Sequence, residues 1–565
     1  MIFGRNKPAR TPSVASRWLV TWGSNLVGKS VWCDKQFEIL RAGNGYTLSP
    51  SGRFLVLGDL WLSNHQELAA KLDLRLTAEI GDLDLVARLW ERWGIATPKL
   101  LQGMFGLVIC DLELRELVLV RDPVGARTIY YTTGETCWIA SQLSSLNPYR
   151  SNQLDSIALR DYLTCAFVPG ERTMWQDVRE IRPGTILKLP EGQIHHYWQL
   201  KQQVIEQESL VWHGDRLRSQ LEQVVSEYLP VKAPVGVFLS GGLDSSCITA
   251  LAAQLHDAPV HTYSIHFGSE CANELEFSQL VAAHCQTHHH VLEITFKQMW
   301  AQLPQTMADL DDPIGDPLTV PNLLIGKLAS NDVSVTLNGE GGDPCFGGPK
   351  NQPMLIDSLY NPGTSYNPLE AYLSSFQKCA ADLPQLLKPD ILQQVQQQWI
   401  FEPDLNSDMS YLNRLMALNI KFKGADQILT KVNNLTQVAG LQGLSPLFDR
   451  RIVELSMTIP PAYKLSGVQE KAVLKQAVAD LLPATIINRP KSGMMVPVQL
   501  GFRKHWHRQA ASILLSRRAL ISPYINQELI KEWLSFRGDV WGRYGVKLWL
   551  LVSLEVWLQV NFNKR

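Results

Sequence analysis

Two glycine-rich loops carry the residue types that phosphate chemistry needs. The first covers residues 240–246 (SGGLDSS), between an apolar run at 234–239 and a segment with helical character. A glycine turn between a strand and a helix start presents several backbone N–H groups at the positive end of a helix dipole, which suits a phosphate. Asp244 repels a bare phosphate, so its carboxylate is suited to a metal ion that binds the same phosphates. The Gly-Lys-Ser/Thr ending of the P-loop is missing, which indicates a different kind of phosphate loop.

The second loop, residues 338–348 (NGEGGDPCFGG), surrounds two carboxylates with glycines. Such a loop places Asp343 opposite Asp244 as a second contact to a metal ion. Glu340 is expected nearby, free to take a proton from an attacking amine. Each loop alone is also compatible with an ordinary glycine turn, and it is the pair that favours chemistry.

The elements around both loops predict a parallel sheet. From residue 215 onward, helical segments alternate with apolar strands expected at 235–239, 261–267, 290–294 and 333–337. Strand–helix alternation implies right-handed crossovers, and ligands in such sheets bind beyond the carboxyl ends of the strands. Both glycine-rich loops fall at those ends. The backbone at Ile265 does too, and we expect it to meet an adenine ring.

The first part of the chain has a different pattern. Short apolar strands separated by glycine and serine turns dominate, with helices expected at 66–72, capped by Asn64, and from Asp82 to about residue 93. This pattern predicts an α+β layered sandwich. The predicted division of the chain is a flexible tail (1–15), the sandwich (16–200), a polar linker (201–214) and the parallel-sheet domain (215–565).

Composition excludes several classes of function. A chain that is 45% apolar and 19% charged, with a net charge of -1, offers no basic field for nucleic acid. Nine cysteines without a C-x-x-C pair favour a reducing, cytoplasmic setting over a zinc site or disulfides. The most apolar tract, 544–562, contains Lys547 and Glu555, so we expect a buried helix and no membrane span. Residues 288–290 are three histidines, but successive strand residues point to opposite faces, which disfavours metal binding by this run.

Four stretches of the first domain share a pattern with known enzymes: residues 103–111 (GMFGLVICD), 121–131 (RDPVGARTIYY), 169–173 and 181–185. In these stretches the domain resembles the glutaminase domain of the asparagine synthetases. The resemblance implies an Ntn-hydrolase fold of the class II glutamine amidotransferase type.

The residues that glutamine hydrolysis needs are not matched. The family uses a cysteine at the mature N-terminus, whereas residue 2 here is Ile, and Cys33 lies between predicted strands that a cut would disrupt. The family's Asn-Gly-Glu oxyanion stretch corresponds at best to 57–59 (LGD). Asp82 stands either for the glutamine-binding aspartate or for a helix N-cap. We therefore expect no glutaminase nucleophile, and a domain that serves as a scaffold or partner surface.

The second domain carries a longer pattern, through residues 240–246, 262–265, 312–317 (DPIGDP), 339–348 and 470–475 (EKAVLK). Here it resembles the ATP-pyrophosphatase domain of the asparagine synthetases. The resemblance implies an adenine nucleotide α-hydrolase-like parallel-sheet domain with extra helices. It also implies an AMP- and pyrophosphate-forming amide ligase that uses ATP and Mg²⁺.

The resemblance assigns roles to individual positions. ATP phosphates and pyrophosphate fall to Ser240, Gly241, Gly242, Asp244, Ser245 and Ser246, and the nucleoside to Leu239, Ile265 and Gly339. Asp244 and Asp343 would hold Mg²⁺. Lys471 would stabilise charge as an acyl-adenylate forms and collapses, with Glu340 as the proton acceptor. Without the resemblance, Lys471 would be interpreted as an exposed helix lysine.

The segment that meets the acidic substrate departs from the family. Where the family has Gly-Leu-Glu-x-Arg-x-Pro, residues 440–446 read GLQGLSP, with Gln442 and Leu444 in place of Glu and Arg. A pocket with fewer charges favours a substrate larger and less polar than aspartate. Lasso-peptide macrolactam synthetases and β-lactam synthetases are similar in this respect, and they also keep a degenerate glutaminase domain.

We therefore expect a ligase whose amine lies on its own substrate, a small molecule or peptide, and which works with a partner protein of a biosynthetic pathway. Two alternatives remain open. One is an asparagine synthetase using ammonia or glutamine, and the other is a non-catalytic scaffold.

Overall fold

The computed structural model describes residues 17–23, 30–34, 36–75, 80–360, 367–466, 469–490, 495–539 and 542–562. The predicted tail at 1–15 lies outside the described residues. The strands of the first domain are β1 (Trp18–Trp22), β2 (Trp32–Cys33), β3 (Phe37–Ala42), β4 (Tyr46–Leu48), β5 (Phe54–Leu62), β6 (Gly103–Asp111), β7 (Glu116–Arg121), β8 (Tyr130–Thr132), β9 (Cys137–Ala140), β10 (Val178–Glu180), β11 (Thr185–Leu189) and β12 (Gln193–His196).

These strands form two antiparallel sheets, ordered β10-β8-β9-β1-β3-β2 and β12-β11-β7-β6-β5-β4. Alternate residues of the two sheets meet in one apolar core, for example Val20 from β1 and Leu57 from β5, both fully buried. The helices α1 (His65–Lys71) and α2 (Asp82–Trp93) cover the other face of the second sheet. The predicted layered α+β sandwich is confirmed.

Neither Asn64, the predicted cap of α1, nor Asp82, for which a cap was one of two alternatives, caps a helix with its side chain. Asn64 does precede α1, but its side chain makes no cap bond; it donates to the carbonyl of Leu100 and accepts the N–H of Gln102, both at 3.0 Å. Asp82 is the first residue of α2, after the N-cap Gly81, and its carboxylate accepts the N–H of Leu62 at 3.1 Å. In both cases a neighbouring strand end offered a partner that local sequence does not reveal.

The second domain is built on a five-stranded sheet ordered β15-β14-β13-β16-β17, in which every pairing is parallel. Its strands are β13 (Val235–Phe238), β14 (Val260–His266), β15 (His288–Glu293), β16 (Val335–Leu337) and β17 (Gln442–Leu444). The four predicted strands are present. The fifth, β17, was not predicted because three residues with one apolar side chain carry no strand pattern.

Helices surround this sheet and join it to the first domain. They are α3 (Ser156–Cys165), α4 (Leu210–Tyr228), α5 (Leu243–Leu255), α6 (Leu275–His284), α7 (Phe296–Asp309), α8 (Thr319–Ala329), α9 (Gly342–Phe346), α10 (Gln352–Tyr360), α11 (Pro368–Ser375), α12 (Leu383–Leu386), α13 (Pro389–Gln394), α14 (Glu402–Leu405), α15 (Tyr411–Leu418), α16 (Thr430–Val438), α17 (Arg450–Ser456), α18 (Ala472–Ala477), α19 (Ala484–Asn488), α20 (Val498–Gly501), α21 (His507–Leu514), α22 (Gln527–Leu534) and α23 (Tyr544–Phe562). Two π-helices, Asn419–Leu429 and Phe502–Trp506, and the short antiparallel pair β18 (Leu465–Ser466) and β19 (Gln469–Glu470) complete the domain, with four short 3₁₀ turns among its described residues.

The predicted linker at 201–214 is partly wrong. Helix α4 begins at Leu210, because the Ser209 side chain caps it by accepting the N–H of Trp212 at 3.2 Å. The preceding residues are bound to the second domain, since the Gln202 side chain accepts hydrogen bonds from Ser410 and Asn413. The segment is therefore part of the second domain's surface.

The apolar C-terminal helix α23 is buried in the second domain, as predicted. Lys547 pairs with Asp382 at 2.6 Å and with Asp539 at 2.8 Å. Glu555 is fully buried and accepts the backbone N–H groups of Leu520 and Ile521, both at 3.0 Å. Among the described residues, no helix is both long enough and apolar enough to span a bilayer.

Candidate active site

The loop between β13 and α5 forms one wall of a cavity of about 600 Å³. Gly242 is the N-cap of α5, so the first N–H groups of that helix point into the loop. The Ser245 hydroxyl donates to the carbonyl of Gly242 at 3.1 Å and lies 3.1 Å from the hydroxyl of Ser240. The loop is held closed by its own serines, with a helix dipole behind it.

The two glycine-rich loops touch each other at the carboxyl ends of β13 and β16. A Cβ at Gly339 would lie 2.5 Å from the backbone nitrogen of Ser245, and one at Gly342 would lie 2.2 Å from the Asp244 carboxylate. Only glycine permits that approach, which explains why the second loop lacks side chains there. The sequence prediction that both loops meet at one edge of the sheet is confirmed.

The side chain that joins the loops is Lys471, which immediately precedes α18. Its ammonium nitrogen lies 2.6 Å from a carboxylate oxygen of Asp244 and 2.5 Å from one of Asp343. The lysine is only 2% exposed and has a left-handed backbone with φ of 53°. It is therefore not an exposed helix lysine. Its strained conformation is of the kind that accumulates at functional sites.

Ten of the twelve sequence-predicted site residues line this cavity. They are Leu239, Ser240, Gly242, Asp244, Ser245, Ile265, Gly339, Glu340, Asp343 and Lys471. Two do not. Gly241 turns away against α6, where a Cβ would lie 2.6 Å from the nitrogen of Ser278. Ser246 is fully buried, and its N–H bonds the Gly242 carbonyl within α5. At these two positions the loop therefore does not line the cavity. For Ser246 the reason is the first turn of α5, which rotates its side chain into the protein.

Sequence reasoning missed Arg489, which also lines the cavity. Its guanidinium donates to the carbonyl of Gly241 at 3.1 Å, pairs with Glu274, and lies 3.8 Å above the ring of Phe277. The residue is the C-cap of α19, far from the loop in sequence. Its contact with the loop backbone fixes the loop's shape, a role that only tertiary proximity reveals.

The cavity is also rich in lysine. Lys350, Lys378, Lys423 and Lys431 line it, together with the carboxylate Asp316. Lys431 and Asp316 pair at 2.8 Å; burial alone would raise the pKa of Asp316, but the lysine outweighs burial and holds that pKa below its usual value. In the described part of the chain, Lys378 and Lys423 have no hydrogen-bonding or ion-pair partner. An anion would satisfy them.

The π-helix Asn419–Leu429 explains how the lysines reach the cavity. Asn419, Lys423 and Gln427 of this helix, and Lys431 of α16, follow at four-residue spacing and all line the cavity. The wider turn of a π-helix keeps residues at this spacing on one face, and π-helices are frequent at functional sites. Burial lowers the pKa of Lys423 to about 8, with the neighbouring Lys350 adding to the effect.

The two positions on which the expectation of a less charged substrate pocket rests do not belong to this cavity. Gln442 and Leu444, the positions that lost charge, are both buried in β17 and do not line the cavity. The pocket instead takes its charge from Lys378 and Lys423. Sequence comparison at 440–446 could not show this, because the charges come from a different part of the chain.

In the first domain, the predicted oxyanion stretch 57–59 lies in the middle of a sheet strand. All three residues of this part of β5 pair with β6, and Leu57 also pairs with β4. Leu57 is fully buried, and Asp59 pairs with Arg127 at 3.0 Å. Cys33 lies in the edge strand β2, where its backbone pairs with Glu38 of β3. The residue is exposed, but it lies within a sheet.

Arg127 also closes the space between the two domains. Besides its pair with Asp59, it donates to the Asn433 side chain at 3.3 Å. The cavity lined by these groups measures about 20 Å³, which is room for about one water molecule. Val432 separates this small cavity from the large one, since it lines both.

Comparison with known proteins agrees with this architecture. A family model described as asparagine synthase matches residues 216–559, and one described as a glutamine amidotransferase domain matches residues 48–198. Asparagine synthetase [glutamine-hydrolyzing] 1 of Bacillus subtilis is 24% identical in an alignment 558 residues long. The alignment covers 89% of this chain and 86% of the relative. A putative asparagine synthetase of Mycobacterium tuberculosis is 24% identical and spans 81% of this chain and 76% of the relative.

Among solved structures, the glutamine PRPP amidotransferase of B. subtilis is 14% identical, covers 44% of this chain and 59% of its own, and has a TM-score of 0.23. At that score the likeness carries no argument, and the family match rests on sequence. A glutamine amidotransferase-like sandwich joined to a parallel sheet with this loop pair defines an ATP-dependent carbon–nitrogen ligase. The chain belongs to the asparagine synthase family.

Proposed function

We propose that this protein activates a carboxylate as an acyl-adenylate and joins it to an amine carried by its own substrate. The observation that carries the proposal is the meeting of Asp244, Asp343 and Lys471 at the phosphate loop. In the first step a carboxylate oxygen attacks the α-phosphorus of ATP, and pyrophosphate leaves. In the second the amine attacks the acyl carbon, AMP leaves, and the amine nitrogen gives up a proton.

The residues present suit the charge that builds in these steps. Two carboxylates converge on one cation, Lys471, so their oxygens are already arranged around positive charge. This donor set fits Mg²⁺, which prefers carboxylate oxygens and substrate phosphates; bound by Asp244 and Asp343, it would offset charge on the phosphates of ATP. Lys471 and the loop N–H groups would stabilise the leaving pyrophosphate. Glu340, on the opposite loop, would accept the proton of the amine.

The cavity lysines support an acid that carries negative charge besides the carboxylate being activated. Lys378 and Lys423 line the cavity near Asp316, and that carboxylate is already paired with Lys431. The positive charge of these lysines also disfavours the protonated form of the substrate amine, because like charges repel. It therefore favours the neutral amine, which is the form that can attack. Both effects suit a substrate that presents acid and amine together.

The first domain supports a substrate-borne amine rather than ammonia made from glutamine. The backbone at 57–59 is committed to a sheet, and Arg127 fills the space between the domains. We propose that the domain acts as a scaffold. It also contributes directly to the cavity, since Cys165 and Ala166 at the end of α3 line it. A partner protein that delivers the substrate would dock on this side.

The proposal is tested by ATP–pyrophosphate exchange with candidate acids, followed by analysis of the product. Exchange that depends on an acid, and an amide formed without added ammonia, are expected. The named relatives are asparagine synthetases, which makes aspartate with ammonia the competing function. Asparagine formed from aspartate and ammonia would overturn the substrate-borne amine. Failure of every acid and of aspartate to support exchange would favour a scaffold.

The pKa of Lys423 predicts a pH dependence. Below pH 8 the side chain is protonated and attracts the acid; as the pH rises through about 8 the charge is lost. In exchange assays, the KM for the acid should rise several-fold between pH 7 and 9. Lys423→Met should have a KM raised about tenfold at pH 7, equivalent to ~1.4 kcal/mol, with no further rise through pH 9.

The matched control is Lys421→Met, two residues away in the same π-helix, where the ammonium is exposed and pairs with Asp404. This variant should keep the wild-type pH profile. If the KM of Lys423→Met for the acid still rises between pH 7 and 9, another group controls binding of the acid.

A further inference from the structure

Three side chains from separate segments meet at the edge of the parallel sheet. His261 lies in β14, His290 in the edge strand β15, and Asp332 in the turn before β16. The register pairs Tyr263 with His290 and Thr262 with His289. His289 therefore points to the opposite face, where it meets the Thr262 hydroxyl at 2.9 Å. The predicted alternation of the three-histidine run is confirmed, with His288 and His290 on one face. The neighbouring strand β14 adds His261 to that face, where its ring also lies 5.0 Å from the ring of His288.

The ligand atoms of this group are close together. Nδ1 of His261 lies 3.1 Å from Nε2 of His290, which lies 3.8 Å from Oδ2 of Asp332, and all three atoms fall within 4.8 Å of one another. Tetrahedral zinc, with bonds of about 2.0–2.2 Å, places its ligand atoms roughly 3.3 Å apart. The two imidazole nitrogens are already close to that separation, and a movement of the exposed Asp332 side chain by about 0.5–1.5 Å would bring its oxygen to the same distance from both.

The surroundings favour metal binding over a chance cluster. The Tyr263 hydroxyl donates to Asp332 at 3.0 Å, which orients the carboxylate in the way that outer partners of metal ligands do. The Tyr263 ring stacks on His290, with centroids 4.9 Å apart, and so fixes the imidazole plane.

We propose that His261, His290 and Asp332 bind one divalent transition-metal ion of the Zn²⁺ type, with water in the fourth position. The ion would tie the edge strand β15 to β14 and to the turn before β16. Because the Tyr263 ring also lines the large cavity, the same ion would stiffen one wall of that cavity. This site is separate from the carboxylates proposed for Mg²⁺ and does not rest on the proposed reaction.

The test uses the full-length chain without an affinity tag, stripped with EDTA and titrated with ZnCl₂ by calorimetry and with CoCl₂ by visible absorption. One Zn²⁺ per chain and the intense visible bands of tetrahedral Co²⁺ are expected, with a rise in melting temperature on adding Zn²⁺. His261→Ala and His290→Ala should weaken binding at least tenfold, and Asp332→Asn should weaken it as well.

The matched control is His289→Ala, from the same strand but the opposite face, which should bind Zn²⁺ as the wild type does. If His290→Ala fails to fold, His290→Phe keeps the stack on Tyr263 while removing the ligand nitrogen. Without a metal, the 3.1 Å contact is simply an N–H···N hydrogen bond between neutral imidazoles. Absence of stoichiometric binding, or equal binding by the His261, His290 and His289 variants, would establish that simpler arrangement.

Discussion

Replacing Lys471 with Met should leave ATP binding intact and slow AMP formation by roughly 10²–10³-fold, the loss typical of removing one group that stabilises transition-state charge. The methionine fills similar space in this nearly fully buried position, so the fold should persist. What disappears is a cation that pairs with both Asp244 and Asp343. Acid-dependent pyrophosphate exchange and AMP release measure the loss, and binding of a fluorescent ATP analogue with Mg²⁺ reports the retained affinity.

The control for this variant is Lys297→Met, an exposed lysine in the first turn of α7, which should behave as the wild type. Lys471→Arg separates charge from shape, because a guanidinium keeps the charge but needs more room than the site offers. We expect Lys471→Arg to recover little of the exchange activity that Lys471→Met loses. Exchange by Lys471→Met within a few-fold of the wild type would remove this lysine from the chemistry.

The second large effect is expected from adding one methyl group. In Gly342→Ala the new Cβ would overlap the Asp244 carboxylate, which lies 2.2 Å from its position. Alanine is favourable in a helix, and the carboxylate can swing aside, so the fold should be kept. Asp244 would then leave Lys471 and Asp343. Misplacing a reacting group by about 1 Å can cost about 100-fold, and we expect AMP formation to fall by at least that factor.

Gly326→Ala is the matched control, since it is the same change within a helix. Its Cβ would lie 3.4 Å from the Ala439 side chain, an ordinary contact. Both variants should unfold near the wild-type temperature, while only Gly342→Ala loses exchange. If Gly342→Ala keeps full activity, the position of Asp244 seen here is not the one the reaction uses.

Local sequence was sufficient wherever a pattern and its partner lie close along the chain. The apolar run before Ser240 and the glycines after it predict a strand, a turn and a helix start, and the structure has them. Asn64 and Asp82 do not cap their helices, because their side chains bond backbone groups of other segments that tertiary packing brings near them. The linker prediction failed at Leu210 for a similar reason, since polar residues there pack on the second domain.

The prediction about the substrate pocket rests on two positions that do not line the cavity. The side chains of Gln442 and Leu444 lie within the sheet, so their lost charge does not describe this cavity. The cavity takes its charge from Lys423, in a π-helix, and Lys378, between α11 and α12, and no sequence periodicity distinguishes these lysines from surface lysines.

The sequence by itself determined the two loops, the alternation of strands and helices, and the absence of a matched glutaminase cysteine, because each is a local matter of residue type and spacing. Only the tertiary structure decided that Lys471, 227 residues after Asp244, pairs with it, that Arg127 fills the space between the domains, and that His261 meets His290. Such contacts depend on how strands are ordered in a sheet and how helices cross it. Burial then gives the resulting charges their strength, since a lysine removed from water interacts far more strongly with its neighbours than one on the surface.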